Sequence, residues 1–239
     1  MGWGFLKVPQ RNDFDKGFII VTDFEPTAAR RAFPCFDEPS FKARFTIRVV
    51  APDDNYKVIA NMPEINKFRI ENGVVYDFAT SIKMSTYLVS FGLTKYSYYE
   101  DVLEDGDRKI PIRMYTYNAT RENNEYAMNC TMRALKFYME YTNISYPLSK
   151  LDMIEYRRAE SAATENWGLI TFREGLLSTN LGIYDRMQKK IVIYHEVSHF
   201  WFGNLVTNNW WNDIWLQEGF ATYMSYRLYV NDLQMEQVE

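Results

Sequence analysis

The chain has few histidines and cysteines, no long apolar run and no excess of basic charge. Its 239 residues include 2 His and 2 Cys, and the formal net charge is −4. This balance argues against a nucleic-acid partner, because neutralising phosphates requires clustered Lys and Arg. No segment approaches the roughly 20 apolar residues of a membrane span, and the first residues lack the apolar stretch of a signal peptide. The sequence therefore indicates a globular protein and does not by itself assign a compartment.

Cysteines and glycosylation sequons bear only weakly on the environment of the protein. Cys35 and Cys130 can form at most one disulfide, and the sequence leaves open whether they meet; free or structural thiols are the simpler expectation. Sequons begin at Asn118, Asn129 and Asn143, and they give weak support to a secreted context.

Residues 1–100 show patterns typical of strands. Hydrophobic residues make up 47% of the sequence and charged residues 24%, the balance of an ordinary globular protein. Asn72-Gly73 lies between two apolar segments and favours the left-handed dihedral angles of a tight hairpin turn. Alternating or β-rich segments predict strands over 41–49, 67–71, 74–78 and 85–93. We therefore expect a sandwich-like β-sheet domain over residues 1–100.

Residues 101–239 mix strands with helices. The charged segment 100–109 contains a turn and marks the predicted domain boundary. Helices are predicted over 122–141, 184–202 and 213–230, and strands over 110–117, 151–154 and 167–172. The fold class expected for the whole chain is α+β.

The two histidines lie four residues apart, in His195-Glu196-Val-Ser-His199. Residues with this spacing share one face of a helix, about 5–6 Å apart at Cβ, so the two imidazoles can bind one ion. Glu196 lies one residue further round, where it can take a proton from water without being a ligand. The pattern H-E-x-x-H also arises by accident in helices, but the scarcity of histidine elsewhere argues against an accident here.

Glu218 is the best candidate for a third ligand. A catalytic zinc site requires three protein ligands and an open position for water. Glu218 follows His199 after 18 intervening residues, on the next predicted helix, and the loop 203–212 allows the two helices to approach. Imidazole and carboxylate ligands together favour Zn²⁺. The sequence therefore predicts one zinc ion held by His195, His199 and Glu218, with Glu196 as the general base.

Four segments resemble the gluzincin aminopeptidases of the aminopeptidase N type. The longest is HEVSHFWFGNLVTNNWWNDIWLQEGFATY at 195–223; the others are FEPTAARRAFPCFDEPSFKARF at 24–45, YPLSKLDMI at 146–154 and ENWGLITFRE at 165–174. The resemblance extends over nearly the whole chain after about the first fifteen residues. It implies an N-terminal β domain followed by a thermolysin-like zinc peptidase domain, incomplete at both ends.

The activity implied by the resemblance is zinc-dependent removal of N-terminal residues from peptides that have a free N-terminus. The family's amine-selecting motif falls on Ala162-Ala163-Thr164-Glu165-Asn166, in which Glu165 matches the amine-binding carboxylate. Glu25 matches a second amine-side position. Carboxylates suit this task, because a protonated amine in a partly dry pocket must replace its lost hydration. The implied substrate-binding residues are Glu25, Ala162, Ala163, Glu165 and Asn166.

Several positions depart from the family pattern. Ala162 and Thr164 replace Gly and Met of the selectivity motif, and Ala28 replaces the Asp of a Thr-Asp-Ala-Arg stretch. An added methyl at residue 162 could crowd a strand edge that is expected to pair with substrate backbone. The family's transition-state-stabilising Tyr is expected beyond Glu239, and losing such a donor costs on the order of 10²–10³ in rate.

Two alternatives to an active aminopeptidase stay open, the first because of these departures and the second because the same zinc site supports other hydrolyses. The first is a zinc-binding but catalytically weak or inactive peptide-binding homologue. The second is a related gluzincin with another hydrolytic activity, such as epoxide opening. The resemblance and the sequons favour a plasma-membrane ectoenzyme or an extracellular protein. A cytoplasmic location is also consistent with the family. Whether the full-length protein forms a homodimer stays open.

Overall fold

The computed structural model describes residues 4–9, 17–157, 159–179 and 181–236. Strands dominate the first half of these ranges, and the second half contains strands together with three α-helices, which confirms the predicted α+β class. The strands are β1 (Gly4–Pro9), β2 (Phe18–Asp23), β3 (Arg48–Ala51), β4 (Lys57–Ala60), β5 (Glu64–Ile70), β6 (Gly73–Phe78), β7 (Phe91–Thr94), β8 (Ser97–Asp105), β9 (Arg108–Thr116), β10 (Leu151–Tyr156), β11 (Ala163–Thr164) and β12 (Leu169–Arg173). The helices are α1 (Arg121–Thr142), α2 (Arg186–Ser198) and α3 (Ile214–Glu236).

The N-terminal region is a sandwich of two antiparallel sheets. One has the strand order β1-β2-β7-β4 and the other β3-β6-β5. Apolar side chains from both sheets form one cluster that includes Val49, Val58, Tyr76 and Leu93. Alternating strand residues from the two sheets therefore meet face to face, as a sandwich requires.

The second region contains a mixed five-stranded sheet of order β11-β12-β10-β9-β8. β10 runs parallel to both β9 and β12, whereas the outer pairs β8–β9 and β11–β12 are antiparallel. β11 consequently forms one edge of this sheet. Helix α1 packs against β8 and β9 and against α2, and α2 in turn packs against α3.

One continuous core joins the two regions. Phe24 and Tyr87 from the sandwich side pack in the same apolar cluster as Trp167 and Phe200. Asn61 strengthens this junction, because its Nδ2 donates to the carbonyl oxygens of Leu88 at 2.7 Å and Trp167 at 2.9 Å. The N-terminal region therefore packs against the segment between β11 and β12 and supports the five-stranded sheet at that edge.

Two predicted strands of the N-terminal region are wrong. The segment 41–49 contributes only Arg48 and Val49 to β3, and before it the backbone forms an isolated bridge between Ala43 and Met84. The ladder is interrupted because Phe45 N donates to the Ser81 side chain, 2.9 Å away, instead of to a backbone carbonyl. The segment 85–93 begins with a 3₁₀ turn over Thr86–Leu88, and β7 starts only at Phe91.

The predicted hairpin around Asn72-Gly73 forms with its turn one residue earlier. Ile70 pairs with Gly73, so Glu71 and Asn72 occupy the turn and Gly73 opens β6. Gly73 has φ +155°, and a Cβ there would lie 2.5 Å from the Ala51 carbonyl oxygen. Glycine is required by this close approach of β3 as well as by its dihedral angle.

The helices predicted in the second region are confirmed with shifted ends. α2 begins two residues later than predicted and ends at Ser198 instead of residue 202. The predicted domain boundary, between residues 100 and 101, falls inside β8, which pairs with β9 along its whole length. The extent of the two domains stays a prediction.

Two further expectations concern the pairing of the cysteines and the presence of a membrane-spanning helix. Cys35 and Cys130 are both free thiols. Within the described ranges, none of the helices combines the length and the apolar character that crossing a bilayer would require.

Candidate active site

Helix α2 brings the two histidines to one side of a cleft. It starts with a capping box, in which Asp185 accepts from Gln188 N at 2.8 Å and Gln188 Oε1 accepts from Asp185 N at 3.1 Å. Ile193 and Val197 are fully buried in the core. The apolar face of α2 therefore fixes its rotation, and His195 and Glu196 line the cleft on the other side.

Three donor atoms converge where α2 meets α3. His195 Nε2 lies 2.9 Å from His199 Nε2 and 3.1 Å from Glu218 Oε2. The third side, from His199 Nε2 to Glu218 Oε2, measures 3.6 Å. Ligands bound at about 2.0–2.1 Å in a tetrahedral zinc site are about 3.3 Å apart, so the three separations bracket the value that zinc requires. The structure thus brings together all three predicted ligands.

Hydrogen bonds behind the imidazoles fix their orientation. His199 Nδ1 lies 3.0 Å from the Phe202 carbonyl oxygen, which can only accept, so Nδ1 carries the proton. In the neutral ring, His199 Nε2 is then an unprotonated acceptor that faces other acceptors. His195 Nδ1 lies 3.4 Å from the Thr222 hydroxyl. Supporting contacts of this kind orient metal-binding histidines, and the converging lone pairs of neutral rings suit a cation between them.

Electrostatics at two of the predicted ligands, His199 and Glu218, also favour a cation at this point. Burial disfavours a charged His199, yet the charge of Glu165 and the bond to Glu218 raise the pKa of His199 to about 10. Burial pushes the pKa of Glu218 upward, but hydrogen bonds with His195 and His199 hold it well below its usual range. These carboxylates therefore stabilise positive charge at His199.

Glu196 lies on the same wall of the cleft and is only 6% exposed. Burial raises the pKa of its carboxyl well above the usual value, and the charges of Glu165 and Glu218 raise it further. A carboxyl with a raised pKa is suited to accepting and returning a proton near neutral pH.

The opposite wall carries the predicted amine-side carboxylates. Oxygens of Glu25, Glu165 and Glu218 all lie within 4.8 Å of one another. Oε1 of Glu25 and Oε1 of Glu165 are buried and accept no hydrogen bond from the described residues. Burial raises the pKa of Glu25, and the charges of Glu165 and Glu218 contribute to the same shift. This wall therefore presents acceptors that lack a donor.

The edge strand β11 completes the cleft, whose volume is about 400 Å³. Ala162 and Ala163 line it beside Glu165. Among the described strands β11 pairs only with β12, so its other edge has no strand partner. Asn166 differs from the other predicted substrate-binding residues, because it is fully buried and lies outside the set that lines the cleft. Its contact with substrate stays a prediction.

Several cleft residues were not anticipated from the sequence. Those on α2 and α3 follow helical spacing from the predicted ligands, so periodicity along these helices would have found all of them except Ser161. They are Ser161, Ile191, Val192, Thr222, Ser225 and Tyr226. Asp23 lines an adjoining cavity of about 300 Å³ with Glu25 and Glu160, and no spacing rule connects it to the site.

Family comparisons agree with this geometry. Residues 4–88 match the peptidase M1 N-terminal domain, and residues 126–238 match the peptidase family M1 domain. The chain therefore belongs to peptidase family M1, a family of zinc metallopeptidases.

Individual relatives are aminopeptidases from several organisms. The chain is 44% identical to endoplasmic reticulum aminopeptidase 2 of Homo sapiens over 226 residues, which are 92% of this chain and 23% of that protein. It is 41% identical to mitochondrial aminopeptidase 2 of Saccharomyces cerevisiae over 212 residues, 87% of this chain and 22% of that protein. It is 39% identical to puromycin-sensitive aminopeptidase of Caenorhabditis elegans over 214 residues, again 87% and 22%. The chain thus spans less than a quarter of the length of these relatives.

Proposed function

We propose that this chain carries the catalytic centre of a zinc aminopeptidase acting on peptides with a free N-terminus. The observation that supports this most directly is the convergence of His195, His199 and Glu218 on one point, with separations of 2.9 to 3.6 Å. The carboxylates of Glu25 and Glu165 stand in the same cleft as that point. One site for a metal beside one site for an amine is the arrangement that an aminopeptidase needs.

One zinc ion would be held by His195, His199 and Glu218. The donor set fits zinc, because two imidazoles and a carboxylate leave a position open for substrate or water. When bound, zinc polarises the scissile carbonyl and lowers the pKa of the attacking water.

Glu196 is the proposed general base. Its buried carboxyl lines the cleft next to the ligands on α2, so it can take a proton from the attacking water. The same carboxyl can then return the proton to the nitrogen of the leaving peptide. The raised pKa of Glu196 suits it to both transfers.

The substrate's amino terminus would be held by Glu165 and Glu25. Their buried oxygens without donors could accept hydrogen bonds from an ammonium group, and these bonds would replace the hydration that the group loses. Because these carboxylates lie within 4.8 Å of the ligand Glu218, an amine bound there places only the first peptide bond near the metal. Cleavage at internal bonds is therefore disfavoured. The free edge of β11 would pair with the backbone of the bound peptide.

Hydrolysis of a panel of aminoacyl fluorogenic amides tests this proposal. We expect turnover that a chelator abolishes and that zinc restores. Glu196→Gln is expected to lower kcat by about 10²–10⁴ while zinc still binds stoichiometrically, because only the proton acceptor is lost. Glu140→Gln, an exposed change on α1, is the matched control and should leave kcat unchanged.

Two results would contradict the proposal. Stoichiometric zinc without turnover of any amide would point instead to a peptide-binding homologue. Equal turnover by wild type and Glu196→Gln would remove Glu196 from the mechanism.

A further inference from the structure

The segment Phe202–Val206, which we name the orienting loop, touches both walls of the cleft. The Phe202 carbonyl accepts from His199 Nδ1 at 3.0 Å, and Asn204 N donates to the His199 carbonyl at 2.9 Å. Gly203 has φ +136°, and a Cβ there would lie 3.2 Å from His199 Nδ1. The backbone of this loop therefore packs directly against the imidazole of His199.

The same loop supports Glu165 on the opposite wall. Asn204 is fully buried, and its Nδ2 donates to the Glu165 carbonyl oxygen at 2.9 Å. A shift of Asn204 would thus move the backbone of Glu165 together with the support of His199. One short loop couples the metal side of the cleft to the amine side.

Two side chains from the N-terminal sandwich region hold the orienting loop. Lys42 Nζ donates to the carbonyl oxygens of Asn204 and Leu205, each at 3.0 Å. Tyr87 OH donates to the Gly203 carbonyl at 3.4 Å. Two charge-assisted bonds from Lys42 are the stronger of these restraints.

Lys42 itself is set in a well-fixed segment. The neighbouring Ala43 exchanges two backbone hydrogen bonds with Met84, both at 3.0 Å. Upstream, the buried Asp37 accepts from the Thr86 hydroxyl at 2.9 Å and from Arg30 N and Nε at 3.0 Å each. Lys42 therefore has a rigid base from which to restrain the loop.

We propose that Lys42 is a positioning residue for this site. It acts through the orienting loop, and so it keeps the imidazole of His199 and the backbone of Glu165 in register with each other. The inference rests on the proposed function, because it assigns Lys42 a role only in relation to the zinc ligand and the amine-binding carboxylate.

Lys42→Met tests the inference in the full chain, with Lys42→Arg as the rescuing variant. Loss of groups that support a metal ligand costs about 10- to 100-fold in metal affinity, and Lys42 acts one contact further away. We therefore expect Lys42→Met to weaken zinc binding about three- to tenfold in competition with a chromophoric chelator. kcat on an aminoacyl amide should fall more than KM rises. Lys42→Arg, which keeps the charge and the donors, should recover most of both losses.

Lys83→Met is the matched control. Lys83 is an exposed lysine close enough for its charge to affect the pKa of Lys42, and in the part of the chain that the structure describes no hydrogen bond or ion pair connects it to the orienting loop. Its removal should leave zinc affinity and kcat unchanged. Equal effects of Lys42→Met and Lys83→Met would assign the result to general charge and overturn the inference.

The outcomes separate this inference from the proposed function. If wild type binds no zinc, the proposed function fails. If wild type binds zinc and Lys42→Met lowers only the midpoint of thermal unfolding, Lys42 is structural and the inference alone fails. Should Lys42→Met not fold, Asn204→Asp takes its place, because it keeps the volume and removes the donor to Glu165. Unchanged zinc affinity and kcat in folded Asn204→Asp would likewise overturn the inference.

Discussion

The two walls of the cleft satisfy their polar atoms in opposite ways. On the helix wall, formed by α2 and α3, His195, His199 and Glu218 contact one another, and His199 is anchored to the Phe202 carbonyl. On the strand wall, formed by β11 and its surroundings, Glu25 and Glu165 each keep a buried oxygen without a donor. The ring nitrogens and the carboxylate oxygen of the helix wall therefore converge on one point. The buried carboxylate oxygens of the strand wall have no hydrogen-bond donor among the described residues.

This difference separates the proposed metal site from the proposed substrate site. A buried acceptor without a partner costs about 1–3 kcal/mol of folding free energy, so each open oxygen of the strand wall lowers stability unless a ligand fills it. At the helix wall, the charges of Glu165 from the opposite wall and of Glu218 already favour a positive charge at His199. Substitutions on the helix wall should consequently change metal binding most, whereas substitutions on the strand wall should change substrate turnover most.

His199→Asn is expected to have the largest effect, and on metal binding. Asparagine is too short to replace Nε2 at the convergence point, so zinc affinity should fall by more than the about 100-fold that losing a supporting group costs. Chelator competition measures this loss. Ser198→Ala, a buried neighbouring change without a ligand role, should bind zinc as wild type does. Wild-type affinity in His199→Asn would mean that the helix wall is not the metal site.

Glu165→Gln is expected to reduce substrate turnover more than metal binding. Hydrogen bonds to charged groups contribute about 1.5–3 kcal/mol, so kcat/KM for an aminoacyl amide should fall about 10- to 100-fold. Zinc affinity should fall much less than in His199→Asn, because Glu165 contributes only its charge to the metal side and is outside the proposed ligand triad. Steady-state kinetics and chelator competition on the same preparation separate the two effects. A comparable loss of zinc binding would erase the distinction between the walls.

The helix wall could be predicted from local spacing, and the strand wall could not. His195, Glu196 and His199 lie within one helical turn and a half, so their relative positions follow from helix geometry alone. Glu25 and Glu165 are far apart in the sequence and meet only because the sandwich packs against the five-stranded sheet. Their pairing came from resemblance to a family, not from any periodicity.

The same limit applies to the parts of the fold that sequence patterns misplaced. Residues 41–49 alternate like a strand, yet the Ser81 hydroxyl takes the place of a ladder acceptor and interrupts the pairing. Lys42 and Asn204 likewise show no pattern that would mark them, because their importance lies in a contact between distant segments. Tertiary contacts of this kind are outside the reach of local patterns.

Asp23→Asn is expected to have the smallest effect, a pH-dependent change in the free energy of unfolding that tests the strand wall. Burial, followed by the charge of Glu165, raises the pKa of Asp23 from 3.8 to about 6. Because the folded value lies above the unfolded one, the stability that this group contributes is complete below about pH 3.8 and is lost as the pH rises through 6. Ionised Asp23 therefore destabilises the fold at neutral pH, and an uncharged asparagine should relieve that cost.

We expect Asp23→Asn to raise the free energy of unfolding by about 1 kcal/mol at pH 7 and by almost nothing near pH 4. The full shift would correspond to about 3 kcal/mol, and screening of this partly exposed carboxyl by water reduces it. Denaturant titrations at several pH values measure the difference. Asp107→Asn, in the exposed turn between β8 and β9, should give no such pH dependence. If Asp23→Asn parallels wild type from pH 4 to pH 8, repulsion among the carboxylates of the strand wall is not a cost to the fold, and the contrast between the two walls rests on the unpaired oxygens alone.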